Sequence, residues 1–499
     1  MRSTDPDRSR WLALYVLCLG MLMIVLDVTV VNVALPSIQT DLRFSQAGLA
    51  WVVNAYLIAF GGLLLLAGRV GDLVGHKRIF LAGLGIFTLA SFACGLAQSQ
   101  ATLVVARFVQ GAGGAMTSAV ILGMIVRMFP APREQAKAIG VYGFVASAGG
   151  SVGLLAGGVL TQAINWHWIF FVNVPIGIAT AFAAVRLLED SPGLGLQGGA
   201  DLPGALLIVA ALMLGVYTIV APAAQHGWGS TPALGFGAGS LALFALFLAR
   251  EATARTPLVP LRILRSRDVA GANAIQALLV AGMFGMFFLG ALYLQRVLGY
   301  DALQIGLAFL PTTIVMGTLS LRYSERLIMR FGARRTLLPG MVLVAAGLLL
   351  FARLPVHGSY LLDILPVMLL LGAGVGSSFP ALMTLAMSGA DPQDAGLASG
   401  LVNTTAQVGG ALGLAVLATV SATRSGELLH AGRPLAAALT GGYHLAFLIG
   451  AGLVGLAVLV ALNMSTPQRG GQAEAVADGA GARAGEDHGV EMYAGSEAG

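Results

Sequence analysis

A chain of 499 residues that is 57% hydrophobic and only 10% charged is not built like a soluble protein, and its balance is that of a polytopic membrane protein. Its 68 glycines fit helices that approach closely in lipid, where small residues replace hydrophobic burial as the packing device. The net charge of +5 is spread over alternate loops, which points to membrane topology and away from nucleic acid, and Cys18 and Cys94 sit in apolar runs that offer no disulfide framework or metal cluster.

Met1 to Arg10 is short, polar and basic. The apolar run after it is too long for a signal-peptide core and reads as an uncleaved first span. Apolar runs follow at about 12–35, 48–67, 79–97, 101–126, 138–163, 169–188, 202–221, 232–249, 269–294, 303–321, 336–353, 361–387, 396–421 and 440–463. Crossing a bilayer core takes about 20 apolar residues, so these are fourteen candidate transmembrane helices. The expected organisation is a cytoplasmic segment 1–10, a first six-helix bundle 11–190, two interposed helices 200–250 and a cytoplasmic linker 251–268. A second six-helix bundle, 269–463, and a Gly-, Ala- and Glu-rich disordered tail, 464–499, complete it.

Lys and Arg concentrate on one side of that topology: Arg8 and Arg10, then Lys77 and Arg78, Arg133 and Lys137, Arg262 to Arg267, and Arg322 to Arg335. The other side holds only Arg43, Arg296, Arg353, Arg424 and Arg433. Positive-inside topology therefore places both termini in the cytoplasm, and the expected location is the plasma (inner) membrane.

Within the first span, Leu26-Asp27-Val28-Thr29-Val30 puts a carboxylate far from any other charge. Such a group costs roughly 2.5–3.5 kcal/mol on insertion scales, so Asp27 is a functional candidate by default. In the fourth span, Arg107 stands at similar depth in Arg107-Phe108-Val109-Gln110-Gly111. A nearby cation and changing burial pull a carboxylate's proton affinity in opposite directions, so a moving Arg107 could load and release a proton at Asp27.

The loop from Gly68 to Arg78 carries Gly68, Asp72, Gly75, Lys77 and Arg78, and Gly75-His76-Lys77-Arg78 is echoed by Gly332-Ala333-Arg334-Arg335. Glycine permits a tight turn between helices, and Asp72 favours the positive end of a neighbouring helix. The fifth span carries Gly149, Gly153 and Gly157 every fourth residue, hence on one face, with Gly158 beside them. Trp166-His167-Trp168 opens the sixth span, where the two tryptophans read as an interfacial belt, and Asn173-Val174-Pro175 follows. Neither lysine follows a glycine, so the end of a P-loop is missing, and no ligand cluster or nucleophile elbow argues for an enzyme.

Taken together, the first-span stretch, the Gly68–Arg78 loop, Arg107-Phe108-Val109-Gln110-Gly111, the fifth-span glycines, Asn173-Val174-Pro175, Tyr293-Leu294-Gln295 and Ala395-Gly396-Leu397-Ala398-Ser399-Gly400 resemble the fourteen-helix drug:proton antiporter branch of the major facilitator superfamily. The resemblance covers about residues 10–460 and implies an all-α fold of two six-helix bundles plus two interposed helices. It further implies a secondary transporter that exports amphipathic or cationic drugs in exchange for protons, works as a monomer and needs no cofactor. Asp27 and Arg107 would couple the proton, and Gly68, Asp72, Gly75, Lys77, Arg78 and the fifth-span glycines would gate the change of shape. Asn32, Tyr56, Gln110, Tyr293, Gln295, Asn403 and Gln407 would line the substrate cavity. In one respect the chain departs from the branch: Leu154 stands where a proline usually follows Gly153, which leaves room for an importer or uniporter. A membrane sensor without transport is the remaining rival, and it would not need Asp27 and Arg107 at matched depth.

Overall fold

In a computed structural model, which describes residues 6–190, 193, 195, 199–388 and 395–464, the described residues form helices joined by short connections. Among the described residues, fourteen helices are long and apolar enough to cross a membrane. In the first half these are α1 (Pro6–Asp41), α2 (Gln46–Val74), α3 (His76–Gly95), α4 (Gln100–Met128), α5 (Pro132–Ala163) and α6 (Trp168–Leu187). Two more, α7 (Leu202–His226) and α8 (Thr231–Thr253), precede the second half. That half comprises α9 (Arg267–Arg296), α10 (Ala302–Phe331), α11 (Ala333–Phe351), α12 (Tyr360–Met387), α13 (Ala395–His430) and α14 (Leu435–Asn463). Residues 1–5 and the tail from 465 lie outside the described residues, as do the side chains of Ala395 to Ser399.

Several helices outrun their apolar cores. The first continues through Pro36 to Asp41, α10 runs ten residues past 321 to Phe331, and α13 extends to His430. Hydropathy marks the hydrocarbon layer, whereas backbone hydrogen bonding carries a helix beyond it into water.

The ends of the helices define two faces. On the face of the N-terminus, Arg10 meets Glu134 and the Met128 carbonyl, and Lys137 lies over Trp11. On the far face, Trp166 donates to Asp41, and Gln100 donates to the Leu42 and Arg43 carbonyls. Trp166 is 4% exposed and stacks on His167, so it is a packed core residue and not the interfacial anchor its sequence suggests. Burial lowers the His167 imidazole below its ordinary value, and the nearby Asp41 carboxylate only partly offsets this.

The two halves meet along two seams, α2 against α13 and α5 against α10. Toward the far face both are closed. Gln46 donates to Ser421 across the first, and Gly158 lies against Ala302 and Leu303 across the second. Ser151 donates to Thr313 farther along α5, at 2.8 Å. Beyond that bond, side chains added at Gly140 or Gly143 would meet nothing within 4 Å, and Phe144 is exposed. Along α5 the halves are thus parted toward the N-terminal face.

The extra pair sits beside the first seam. Its inner member, α7, touches α2 where Gly62 faces Val209. It touches α13 where Thr419 donates to the Ile219 carbonyl. That carbonyl belongs to a π-helical turn, Ile219–Ala223, which contains Pro222. Proline has no N–H to donate, so the turn widens and leaves carbonyls free for partners outside the helix. Only 11% of the most apolar window of α8 is buried, and it packs on α7.

Candidate functional site

Asp27 and Arg107 meet inside the first six helices, where each is 1% exposed. Arg107 Nη1 donates to Asp27 Oδ2 at 2.5 Å and to Gln110 Oε1 at 2.6 Å, while Nε donates to the Val52 carbonyl at 3.0 Å. Gln110 Nε2 donates to Asp27 Oδ1 at 2.7 Å and to Ser91 Oγ at 2.6 Å. Asn173 Nδ2 is the carboxylate's third donor, bonding Asp27 Oδ1 at 3.2 Å, and Cys94 Sγ donates to Gln110 Oε1 at 3.6 Å. The Tyr56 ring lies under the guanidinium, 4.4 Å from its carbon, with the Phe170 ring at 5.7 Å.

Local sequence explains this placement. On α4, Arg107 and Gln110 are one turn apart and therefore share a face. Gly111 allows α4 to rest on the Tyr56 carbonyl of α2, and Gly113 allows it to rest on Phe87 of α3. On α3, Ser91 and Cys94 are likewise one turn apart. In α6 the helix is interrupted at Val172, and Asn173 begins its longer segment, turned inward at 1% exposure. A buried ion pair repays its desolvation only when further hydrogen bonds satisfy its remaining lone pairs and protons. Here both carboxylate oxygens are occupied by donors, the arrangement that suits an ionised carboxylate.

The glycines of α5 lie directly beside this site. A side chain on Gly149 would meet Leu22 and Val25 of α1, one on Gly153 would strike Thr29 and the Leu26 carbonyl, and one on Gly157 would strike Val30. The shared face expected from their spacing is thus pressed against the segment of α1 that carries Asp27. Gly158 points elsewhere, toward α10 of the other half. With Leu154 in place of proline, α5 runs as one helix, and the Leu154 carbonyl lies where a side chain on Gly306 would fall.

At the N-terminal face, Gly75 has φ of 111° and Gly332 has φ of 88°, so both repeated turns use a backbone that favours glycine. Asp72 pairs with His76, the first residue of α3, at 3.4 Å, and Lys77 pairs with Asp190 just past α6 at 3.4 Å. Arg78 is exposed, and a side chain on Gly68 would only brush Ala119.

The cavity residues expected from sequence divide. Tyr56, Gln110 and Tyr293 are each at most 1% exposed, which corrects their assignment: a side chain with no accessible surface lines no cavity. Tyr56 and Gln110 belong to the Asp27 network, and Tyr293 donates to the Pro355 carbonyl at the far face. Asn32 is half-buried and donates to Val28 of its own helix, Gln295 lies in the last turn of α9, and Gln407 is half-buried on the α2 seam against Gly61. Asn403 is exposed. Sequence reasoning missed Ser91, Cys94 and the inward turn of Asn173. The one-turn spacing of Ser91 and Cys94 in an apolar span was the available signal.

The family model of the Major Facilitator Superfamily matches residues 17–414. The chain belongs to that superfamily. It is 39% identical over 418 residues to the puromycin resistance protein pur8 of Streptomyces alboniger, covering 83% of this chain and 82% of that one. It is 40% identical over 421 residues to the cephamycin export protein CmcT of Amycolatopsis lactamdurans, covering 84% and 86%. Among solved structures, a bacterial homologue of the human lysosomal transporter Spinster superposes with a TM-score of 0.65 at 18% identity, over 93% of this chain and all of the other. The nucleoside transporter NupG gives 0.65 at 14% identity, over 91% and 100%. With the family match, these two likenesses in fold show the major facilitator architecture of two six-helix halves, here with two interposed helices.

Proposed function

We propose that this chain is a secondary transporter that exports an antibiotic or another amphipathic or cationic drug from the cytoplasm in exchange for protons. The observation that carries the reading is the sealed Asp27–Arg107–Gln110 network in the first half of a chain whose relatives are named for drug resistance and export. An acid of this kind, buried in a membrane helix and held by a permanent cation, is what a proton-coupling site needs. Both termini lie in the cytoplasm. The seams, closed at the far face and parted along α5 at the other, then correspond to the state open to the cytoplasm.

Rocking of one half against the other around a midplane cavity alternates access. Asp27 takes a proton from outside and gives it up inside, and Arg107 favours the release. One proton moving down about 150 mV supplies roughly 3.5 kcal/mol. That sustains a gradient of about 300-fold for a neutral substrate. The transporter works as a monomer in the plasma membrane, with no cofactor and no nucleic-acid partner. Drug susceptibilities in a host stripped of its own pumps, with and without this chain, test the export reading. Equal susceptibility across a broad antibiotic panel would refute it.

A further inference from the structure

Asn173 Oδ1 is buried and has no hydrogen-bond partner, although its Nδ2 donates to Asp27 Oδ1 and lies 3.5 Å from Ser91 Oγ. An orphan acceptor in so tight a network calls for an explanation, because leaving one unpaired is costly. Neither Arg107 nor Gln110 offers it a donor. Arg107 is committed to Asp27, Gln110 and the Val52 carbonyl, and both amide ends of Gln110 are engaged. The titratable groups acting on this spot are Asp27 of α1, Arg107 of α4, Cys94 of α3 and Tyr56 of α2.

Loading a proton creates one new donor in this network, the O–H of Asp27. Oδ2 faces the Arg107 guanidinium, which does not give up its protons, so the proton adds to Oδ1. Oδ1 accepts from both Gln110 Nε2, at 2.7 Å, and Asn173 Nδ2, at 3.2 Å, and the proton takes the place of the longer bond, so the Asn173 N–H would confront an O–H, donor against donor. Rotating the amide about its last torsion exchanges Nδ2 for Oδ1 and restores a bond. The same rotation is forbidden while Asp27 is ionised, since it would set an amide oxygen against a carboxylate oxygen.

We infer that Asn173 is the proton-state partner of Asp27, donating N–H to the carboxylate and, after rotation, accepting O–H from the carboxylic acid. The proton arrives from water, the Asp27 charge falls from −1 to zero, and the proton returns to water on release with no other covalent change. The inference rests on Asp27 being the group that takes the coupling proton. In this role Asn173 is a positioning residue, keeping the acid paired in both states.

Infrared difference spectra of the purified full-length protein, taken between acid and neutral pH, test it. The carboxylic C=O band that Asp27→Asn removes is assigned to Asp27. In Asn173→Leu that band is expected to shift to the higher frequency of an unbonded acid, and in Asn173→Ser, which keeps an acceptor, to stay near the parent position. Should the leucine variant misfold, the parent grown with carbon-13 asparagine gives the same answer. One amide C=O band shifts on acidification, and Asp27→Asn abolishes that shift. An unmoved acid band in Asn173→Leu, or no amide shift in the labelled parent, overturns the inference while leaving Asp27 as the proton carrier. If Asp27→Asn removes no band at all, the coupling role of Asp27 fails, and the inference fails with it.

Discussion

The two halves repeat each other in their turns and differ in what they bury. Gly75 and Gly332 both end a helix with positive φ, and the basic residue that follows reaches the end of its half's last helix. Lys77 pairs with Asp190 beyond α6, and Arg334 donates to the Ala461 and Leu462 carbonyls of α14. Inside, the resemblance stops. The first half holds an ion pair with a ring of amide and hydroxyl partners, whereas the buried polar bonds described in the second half are neutral. Thr405 donates to Asn273, Thr312 to the Met368 carbonyl, and Ser324 to the Gly376 carbonyl. Under the proposed exchange both halves rock, so shape repeats, whereas a single carrier is enough to couple one proton.

The largest expected effect breaks that asymmetry at its source. Arg107→Ala leaves the Asp27 carboxylate buried without its cation, which costs about 3–5 kcal/mol and is expected to lower thermal stability as well as abolish coupling. Arg107→Lys keeps the charge but cannot serve Asp27, Gln110 and the Val52 carbonyl together, so it should retain more function than alanine. Asp27→Asn is expected to bind substrate yet fail to accumulate it uphill. Substrate-driven proton movement in proteoliposomes measures all three. Parent-like proton movement by Asp27→Asn would place coupling elsewhere.

The next effect tests whether α5 positions that centre. A β-carbon at Gly153 falls on the Thr29 hydroxyl and close to the Leu26 carbonyl, on either side of Asp27. Gly153→Ala should therefore push α1 off α5, with an overpacking cost of about 1–3 kcal/mol and a marked loss of transport. Adding Thr29→Ala removes the hydroxyl from the clash and should recover part of it. Gly85→Ala, whose new carbon meets nothing within 4 Å, is the control expected to behave like the parent.

What the sequence made legible follows from how far each signal reaches. Fourteen spans were readable because hydropathy is local, and Asp27 with Arg107 stood out because a charge in an apolar run has few structural excuses. The purpose of Tyr56 and Gln110 was not readable. A polar residue in a span looks the same whether it faces a cavity or a buried guanidinium, and only the packing of α2, α3 and α4 decides. Trp166 misled for a related reason: its position at a span end fits a lipid anchor, while its bond to Asp41 depends on α1 running past Pro36.

A smaller effect asks whether the repeated turns are equivalent. Alanine at Gly75 or Gly332 forces a β-carbon into a backbone region worth about 1–3 kcal/mol of strain. Both variants should lose similar stability by thermal unfolding. Asp72 has Met329 at the matching place in the second copy, so Asp72→Asn should slow turnover while leaving substrate affinity within a few-fold. Unchanged turnover at equal expression would reduce the Asp72–His76 contact to an ordinary helix start.

The smallest effect is the sharpest test of the contrast between halves. Thr405→Val removes the donor to Asn273 Oδ1, and Asn273 is 7% exposed, so the orphaned oxygen should cost about 1–3 kcal/mol of stability. Nothing in that bond carries or answers a charge. The melting temperature is therefore expected to fall while the number of protons moved per substrate stays at the parent value. Measuring both on one preparation separates a structural hydrogen bond from a coupling one. A changed proton-to-substrate ratio in Thr405→Val would mean that the second half takes part in coupling, and the division of labour drawn from its neutral interior would have to be abandoned.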